Sequence, residues 1–158
     1  MALSDIQTRL FDMATHAMQN AYNPYSRYSV GAALQTIDGI TTAGCNVENV
    51  SFRLTLCAEA NAIGSLITEH GLKTIDHILI VASGESFPTP CGACRQIITE
   101  FSTPETLVHL ARARVKEEGF DVRTYRISSL LPLSFTQSIL NDQKIKIVEP
   151  KISQQTNS

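Results

Sequence analysis

The run His77-Ile78-Leu79-Ile80-Val81-Ala82 restricts the fold more than any other stretch of the chain. Five apolar residues in succession leave no polar side to turn toward water, so the segment suits a strand covered on both faces. Such a strand needs a layer above it and a layer below, and helical patterns on either side of it in the sequence supply them. Ser4 and Gln7 fit a capping box, and Ile6, Leu10, Met13, Ala14 and Ala17 recur at helical spacing, which predicts a helix over about 5–20. Asn23-Pro24-Tyr25-Ser26 breaks it. Tyr28, Val30, Ala32 and Leu34 then alternate as in a strand, Asp38-Gly39 reads as a hairpin turn, and a return strand is expected at about 40–45.

From Cys57 to His70, the residues Ala58, Ala60, Ala62, Ile63, Leu66 and Ile67 suit a helix buried over most of its circumference and ended by Gly71. After the apolar run come a loop from Ser83 to Pro90, a short helix from Cys91 to about Phe101, and strands at 106–112 and 121–127 separated by a charged stretch around Arg114–Gly119. The order α-β-β-α-β-α-β-β implies an α/β fold of three layers, a mixed sheet of about five strands with helices on both faces. With 158 residues, 43% of them apolar, the chain suits one domain, expected over 1–149, and the polar segment 150–158 is expected to be a disordered tail.

Thirteen Lys and Arg against fifteen Asp and Glu give a formal net charge of -2. A binder of the phosphate backbone carries a basic excess or stripe, so nucleic acid is not expected as a partner. No apolar run approaches the roughly 18 residues of a membrane span, and the first residues lack a basic segment followed by an apolar one. The expectation is a soluble cytoplasmic protein. In that setting the four cysteines, Cys45, Cys57, Cys91 and Cys94, read as reduced thiols.

Cys91 and Cys94 stand three apart at a predicted helix start, on one face, and can share a metal ion. A lone C-x-x-C is also read as a redox pair or as two small buried residues. Cys57 adds a third thiol 34 positions upstream, at another predicted helix start, with Glu59 two residues beyond it. Three ligands without a fourth describe an open metal site, whereas structural zinc normally closes its tetrahedron with protein ligands. Glu59 there has a chemical use as a proton carrier between water and a substrate nitrogen. The plainer reading of Glu59, a solvated carboxylate in a first helical turn, is weakened by the joint occurrence of C-A-E and P-C-G-A-C at two helix starts.

These motifs resemble the zinc deaminases, and the chain is similar to the small cytidine deaminase family. The resemblance runs from Asn23-Pro24-Tyr25-Ser26 and Val30-Gly31-Ala32-Ala33-Leu34 through Gly44-Cys45-Asn46-Val47-Glu48-Asn49, Cys57-Ala58-Glu59 and Pro90-Cys91-Gly92-Ala93-Cys94-Arg95-Gln96 to Leu130-Leu131-Pro132-Leu133-Ser134-Phe135. It implies that Cys57, Cys91 and Cys94 hold one zinc per subunit. Water would add at C4 of cytosine while Glu59 protonates N3 and then the departing amine, releasing ammonia and uridine. By the same resemblance Asn46 and Glu48 would bind the sugar hydroxyl, the backbone at Ala58 would read the base edge, and Tyr28 would lie near the base. Phe135 would enter the pocket of a neighbouring subunit in a homotetramer, and the activity would serve pyrimidine salvage on cytidine and deoxycytidine. On the residues alone, Asn46 and Glu48 also suit a turn, Tyr28 suits strand packing, and Phe135 suits an anchor for the last turn.

One departure stands out. The family commonly has an arginine directly after the C-A-E glutamate, where it offsets thiolate charge, and this chain has Ala60. Arg53 is the expected substitute, aided by Arg95 and by two helix N-termini, each worth about half a positive charge. The rivals are a deaminase of another substrate, such as the blasticidin type, against which Asn46-x-Glu48-Asn49 argues, an editor of nucleic acid, and a non-catalytic zinc module with a fourth ligand such as Cys45 or a histidine.

Overall fold

The computed structural model describes residues 4–113 and 119–141. Helix α1 (Asp5–Met18) starts at the expected capping box, in which the Gln7 N–H donates to Ser4 Oγ at 3.3 Å and the Ser4 N–H donates to Gln7 Oε1 at 3.1 Å. Strands β1 (Val30–Thr36) and β2 (Thr41–Cys45) form the expected hairpin, whose turn places Gly39 at φ +86°, open to glycine without strain. Helix α2 (Ala58–His70) has Cys57 as its N-cap and ends at Gly71, φ +71°, and strand β3 (Ile75–Ala82) contains the apolar run. Helix α3 (Gly92–Glu100), N-capped by Cys91, leads to β4 (Ser102–Ala113) and β5 (Phe120–Arg126).

The sheet order is β2-β1-β3-β4-β5, with β1 antiparallel to both neighbours, β3 parallel to β4, and β5 antiparallel to β4. Alternation along β3 accounts for its apolar run. Ile78 and Ile80 face α2 and α3, packing with Ala62, Ile63, Leu66 and Ile98, while Leu79 and Val81 face α1, packing with Leu10 and Ala14. The three-layer α/β expectation therefore holds, because β3 is buried on both faces by helices from opposite sides. Two glycines set how closely these layers approach. A Cβ on Gly31 would lie 1.9 Å from the Ala14 carbonyl oxygen of α1, and one on Gly44 would lie 2.5 Å from the Ala62 nitrogen of α2. Backbone cannot yield to such overlaps, so α2 rests directly on β2 only because residue 44 lacks a side chain.

Differences from the expected elements have local causes. β4 begins at Ser102 rather than near 106, since Ser102 pairs with Ile75 before the register shifts to His77↔Leu107. Within that irregularity the Thr106 hydroxyl donates to the Ile75 carbonyl at 2.7 Å and accepts from the Thr103 N–H at 3.1 Å, so a side chain completes the backbone bonding. A 3-10 turn at Phe52–Leu54 and short helices α4 (Ile127–Leu130) and α5 (Gln137–Asn141) are single turns with no long periodicity to reveal them. The expected tail at 150–158, and most of the charged stretch before β5, lie outside the described residues.

A histidine pair lies between α1 and the sheet, His109 buried and His77 half-buried. His109, 2% exposed, meets His77 Nδ1 through its Nε2 at 3.0 Å, and its Nδ1 faces Thr124 Oγ1 at 2.8 Å and Gln7 Nε2 at 3.4 Å. His77 Nε2 lies 3.3 Å from Asp76. With the Thr124 hydroxyl donating to Nδ1, His109 donates from Nε2 to His77 Nδ1, so both nitrogens of the buried His109 ring are used by the neutral imidazole. Burial, reinforced by His77, lowers the His109 pKa to about 4. The unfolded chain binds this proton near the ordinary value of 6.5 and the folded chain only near 4, so folding loses stability as pH falls across that window. The expected loss is on the order of 3 kcal/mol between the two values. Urea unfolding at pH 7 and pH 5 should show a smaller difference for His109→Gln than for the unmodified chain, because metal loss at low pH is common to both. Equal differences would contradict a neutral buried His109.

Candidate metal and catalytic site

The site lies beyond the carboxyl end of β3, where two helices begin. Cys57 and Cys91 are N-caps with extended backbone (φ -74°, ψ 154° and φ -66°, ψ 169°), and Cys94 stands in the first turn of α3. Cys91 Sγ accepts from the Cys94 N–H at 3.4 Å. The three Sγ atoms lie within 4.8 Å of one another, and among the described residues no fourth His, Cys, Asp or Glu joins them. Cys94 is buried, Cys57 half-buried and Cys91 exposed. Cys45 stays outside the cluster, and its carbonyl accepts from Asn61 Nδ2 at 2.8 Å.

Mutual hydrogen bonding shifts two of the thiols in opposite directions. Hydrogen bonding from Cys94, aided by Cys91, lowers the Cys57 pKa to about 7 against the opposing effects of burial and of Glu59. The same hydrogen bond to Cys57, with burial and the Glu59 charge, pushes the Cys94 thiol up. Three sulfurs at this spacing, two of them at positive helix ends, fit a soft divalent ion with one position left open, and zinc is the ion of that description.

Glu59 is 4% exposed at the start of α2, two residues from Cys57. Burial raises its pKa, opposed by its own backbone N–H and by the Cys94 thiol. It opens onto a cavity of about 330 Å³ whose walls include Tyr28, Val30, Asn46, Thr55, Cys57, Ala58, Ile80, Phe87, Pro88, Thr89 and Cys91. Of the residues expected in a binding role, Tyr28, Asn46 and Ala58 thus border the same space as Cys57, Glu59 and Cys91.

Asn46 and Glu48 are both tied to the chain itself. Asn46 is 8% exposed, and its Oδ1 accepts from the Val30 N–H at 2.8 Å while Nδ2 donates to the Tyr28 carbonyl at 2.9 Å. Its amide keeps one further N–H and one lone pair for a ligand. Glu48 Oε2 accepts from the Tyr25 and Ser26 N–H groups at 3.0 and 3.2 Å. The Ser26 hydroxyl, then these two N–H groups, hold its carboxyl below the ordinary value. Glu48 does not border the cavity, and neither does Phe135, which is 54% exposed with its carbonyl accepting from Gln96 Nε2 at 2.8 Å. Arg53 is exposed on the 52–54 turn and is also absent from the wall. Arg95 is engaged with carbonyls, Nε donating to Pro90 at 2.9 Å and NH1 to Leu130 at 3.0 Å, which fastens the approach to Cys91.

Sequence reasoning missed Val30, Thr55, Ile80, Phe87, Pro88 and Thr89 as wall residues. Phe87, Pro88 and Thr89 had a usable signal, since they directly precede a metal-ligand motif in a loop. Ile80 had none, because an isoleucine in an apolar strand reads only as core. The Asn46 geometry carries its own test. Asn46→Ala leaves the half-buried Val30 N–H and the Tyr28 carbonyl without their side-chain partner, an expected cost on the order of 1 kcal/mol. Chemical denaturation should show that loss with zinc content unchanged, and an unaltered unfolding free energy would contradict the clamp.

Comparison with known proteins adds independent findings. Residues 4–110 match the cytidine and deoxycytidylate deaminase zinc-binding region. The chain is 40% identical over 133 residues to cytidine deaminase of Halalkalibacterium halodurans, covering 84% of this chain and 96% of that one. It is 31% identical over 144 residues to blasticidin-S deaminase of Bacillus cereus, covering 86% and 96% of the two chains. Among solved structures, cytidine deaminase from Burkholderia pseudomallei superposes with a TM-score of 0.73 at 37% identity, covering 84% of this chain and all of that one.

Proposed function

The chain belongs to the cytidine and deoxycytidylate deaminase zinc-binding family, and from that premise we propose how its own residues perform the reaction. It is a zinc-dependent cytidine deaminase, a hydrolase converting cytidine and water to uridine and ammonia. The observation that carries the reading is the three-thiol cluster with Glu59 opening onto the same cavity. Higher identity to cytidine deaminase than to blasticidin-S deaminase, 40% against 31%, favours the nucleoside.

Cys57, Cys91 and Cys94 hold the zinc. Zinc bound by three protein ligands acts as a Lewis acid that makes water nucleophilic near neutral pH. Glu59 takes the proton that water gives up as it adds to C4 and passes it to N3; it then takes the proton of the new C4 hydroxyl as the carbonyl forms and delivers it to the amine as the C4–N bond breaks. Its burial keeps bulk water from competing for these transfers. Asn46 turns its remaining amide donor to the sugar, Glu48 holds the 23–27 turn from outside the cavity wall and keeps its other oxygen for a sugar hydroxyl that reaches past that wall, the Ala58 backbone meets the base edge, and Tyr28 lies against the base. Charge on the thiolates is balanced by the α2 and α3 N-termini, with Arg53 supplying the remainder in place of an arginine at 60.

We further propose a homotetramer whose pockets are shared between subunits. Its support is an exposed apolar surface beside the site, where Phe52 is 72%, Leu54 62% and Tyr22 56% exposed, and where Tyr25 and Phe52 meet edge to face at 5.6 Å. Phe135, exposed and outside its own cavity, is available to a neighbour. The protein acts in the cytoplasm on free nucleosides in pyrimidine salvage, residues 1–149 forming one domain. No helix among the described residues is long and apolar enough to cross a membrane.

Glu59→Gln preserves shape and removes the carboxylate, so kcat for cytidine is expected to fall by about 10³-fold with zinc retained at one per subunit. Loss of the ultraviolet absorbance of cytidine, read with metal content on the same sample, checks this. Activity within tenfold of the unmodified enzyme, with zinc in place, would contradict the assigned role.

A further inference from the structure

Phe87 stands between two cavities. One is the catalytic cavity over Ile80 of β3, and the other is a groove of about 370 Å³ over Leu110 of β4, with Arg112, Arg123 and Tyr125 in its wall. Phe87 and Thr89 border both. Ile80 and Leu110 are register partners on adjacent parallel strands, which lie about 4.8 Å apart, so one ring standing over that step separates the two spaces.

The ring packs against the apolar core on one side and meets two cations on the other. Arg112 and Arg123 bring their guanidinium carbons to 4.8 and 4.4 Å from the Phe87 centroid. Both project from the same sheet face as Leu110. Arg112 lies two residues along β4, and Arg123 of β5 is the register partner of Leu110. Arg112 is fixed in turn by Asp121 at 2.9 Å. Among the described residues no carboxylate lies within ion-pair distance of Arg123, so stacking on Phe87 is the interaction that orders it. Guanidinium groups are suited to this because they stack flat on an aromatic face while their in-plane N–H groups stay hydrated.

We propose that Phe87 is a specificity-determining wall of the nucleoside cavity, and that Arg112 and Arg123 are positioning residues that keep its ring upright between the cavity and the groove. The inference rests on the deaminase reading and deepens it. With the wall in place, the cavity admits cytidine closely and excludes a base enlarged by an added group. With the wall lowered, the two spaces join.

The test uses the zinc-loaded chain and its Phe87→Leu, Phe87→Ala, Arg123→Ala, Arg123→Lys and Arg123→Ala/Phe87→Leu variants. Arg123→Ala is expected to raise KM for cytidine about 2- to 5-fold with kcat unchanged, and Arg123→Lys to raise it less. In the Phe87→Leu background, which keeps apolar bulk but removes the aromatic face, adding Arg123→Ala should change nothing further. Phe87→Ala should raise kcat/KM for N4-methylcytidine or 5-methylcytidine relative to cytidine. An unchanged KM in Arg123→Ala, an equal effect of Arg123→Ala in both backgrounds, or unaltered discrimination in Phe87→Ala would overturn the proposal. If the unmodified chain deaminated no nucleoside, the deaminase reading would fall separately. The wall would then be read from urea midpoints of the single and double variants, where absence of coupling between residues 87 and 123 overturns it.

Discussion

Three thiols that carry negative charge when they bind a cation must sit within 4.8 Å of one another, and most of the site follows from how the fold makes that tolerable. Two sulfurs are placed at helix N-termini, where unpaired N–H groups and the helix dipole favour negative charge. Neither Cys57 nor Cys91 caps its helix with an oxygen, so both helix ends give up the usual serine or aspartate cap for a ligand. The helices must also converge. α3 begins where the crossover from β3 to β4 turns back, and α2 reaches the same place only by resting on Gly44 with no intervening side chain.

The same residues serve the chemistry and the architecture. Asn46 joins the Tyr28 and Val30 backbones, and Glu48 caps the turn at Tyr25 and Ser26, so the groups assigned to the sugar also fix the edge of β1 and the turn before it. A change at either position therefore moves stability. Glu59 differs, since it is buried at the start of α2 and borders the cavity, where burial raises its pKa.

Much of this was legible in the sequence wherever one residue type has one physical use. The Ser4/Gln7 box, Gly39, Gly71 and the apolar run located the ends of elements, and C-A-E with P-C-G-A-C, through the family they resemble, pointed to the three thiols that the fold brings within 4.8 Å. What remained illegible depends on tertiary contact. The early start of β4 relies on the Thr106 hydroxyl replacing a backbone bond, and Phe87 gains its position from arginines 25 and 36 residues later in the chain. Ala60 carries the most informative departure. Two helix N-termini stand at the thiols, while Arg53, the expected substitute, is exposed and outside the cavity wall.

X-ray absorption at the zinc edge of the purified protein tests the central claim most directly. Three sulfur neighbours at about 2.3 Å and one nitrogen or oxygen neighbour at about 2.0 Å are expected, the open tetrahedron of Cys57, Cys91 and Cys94. Four sulfur neighbours would close the site and contradict catalysis there, and fewer than three would contradict the ligand set.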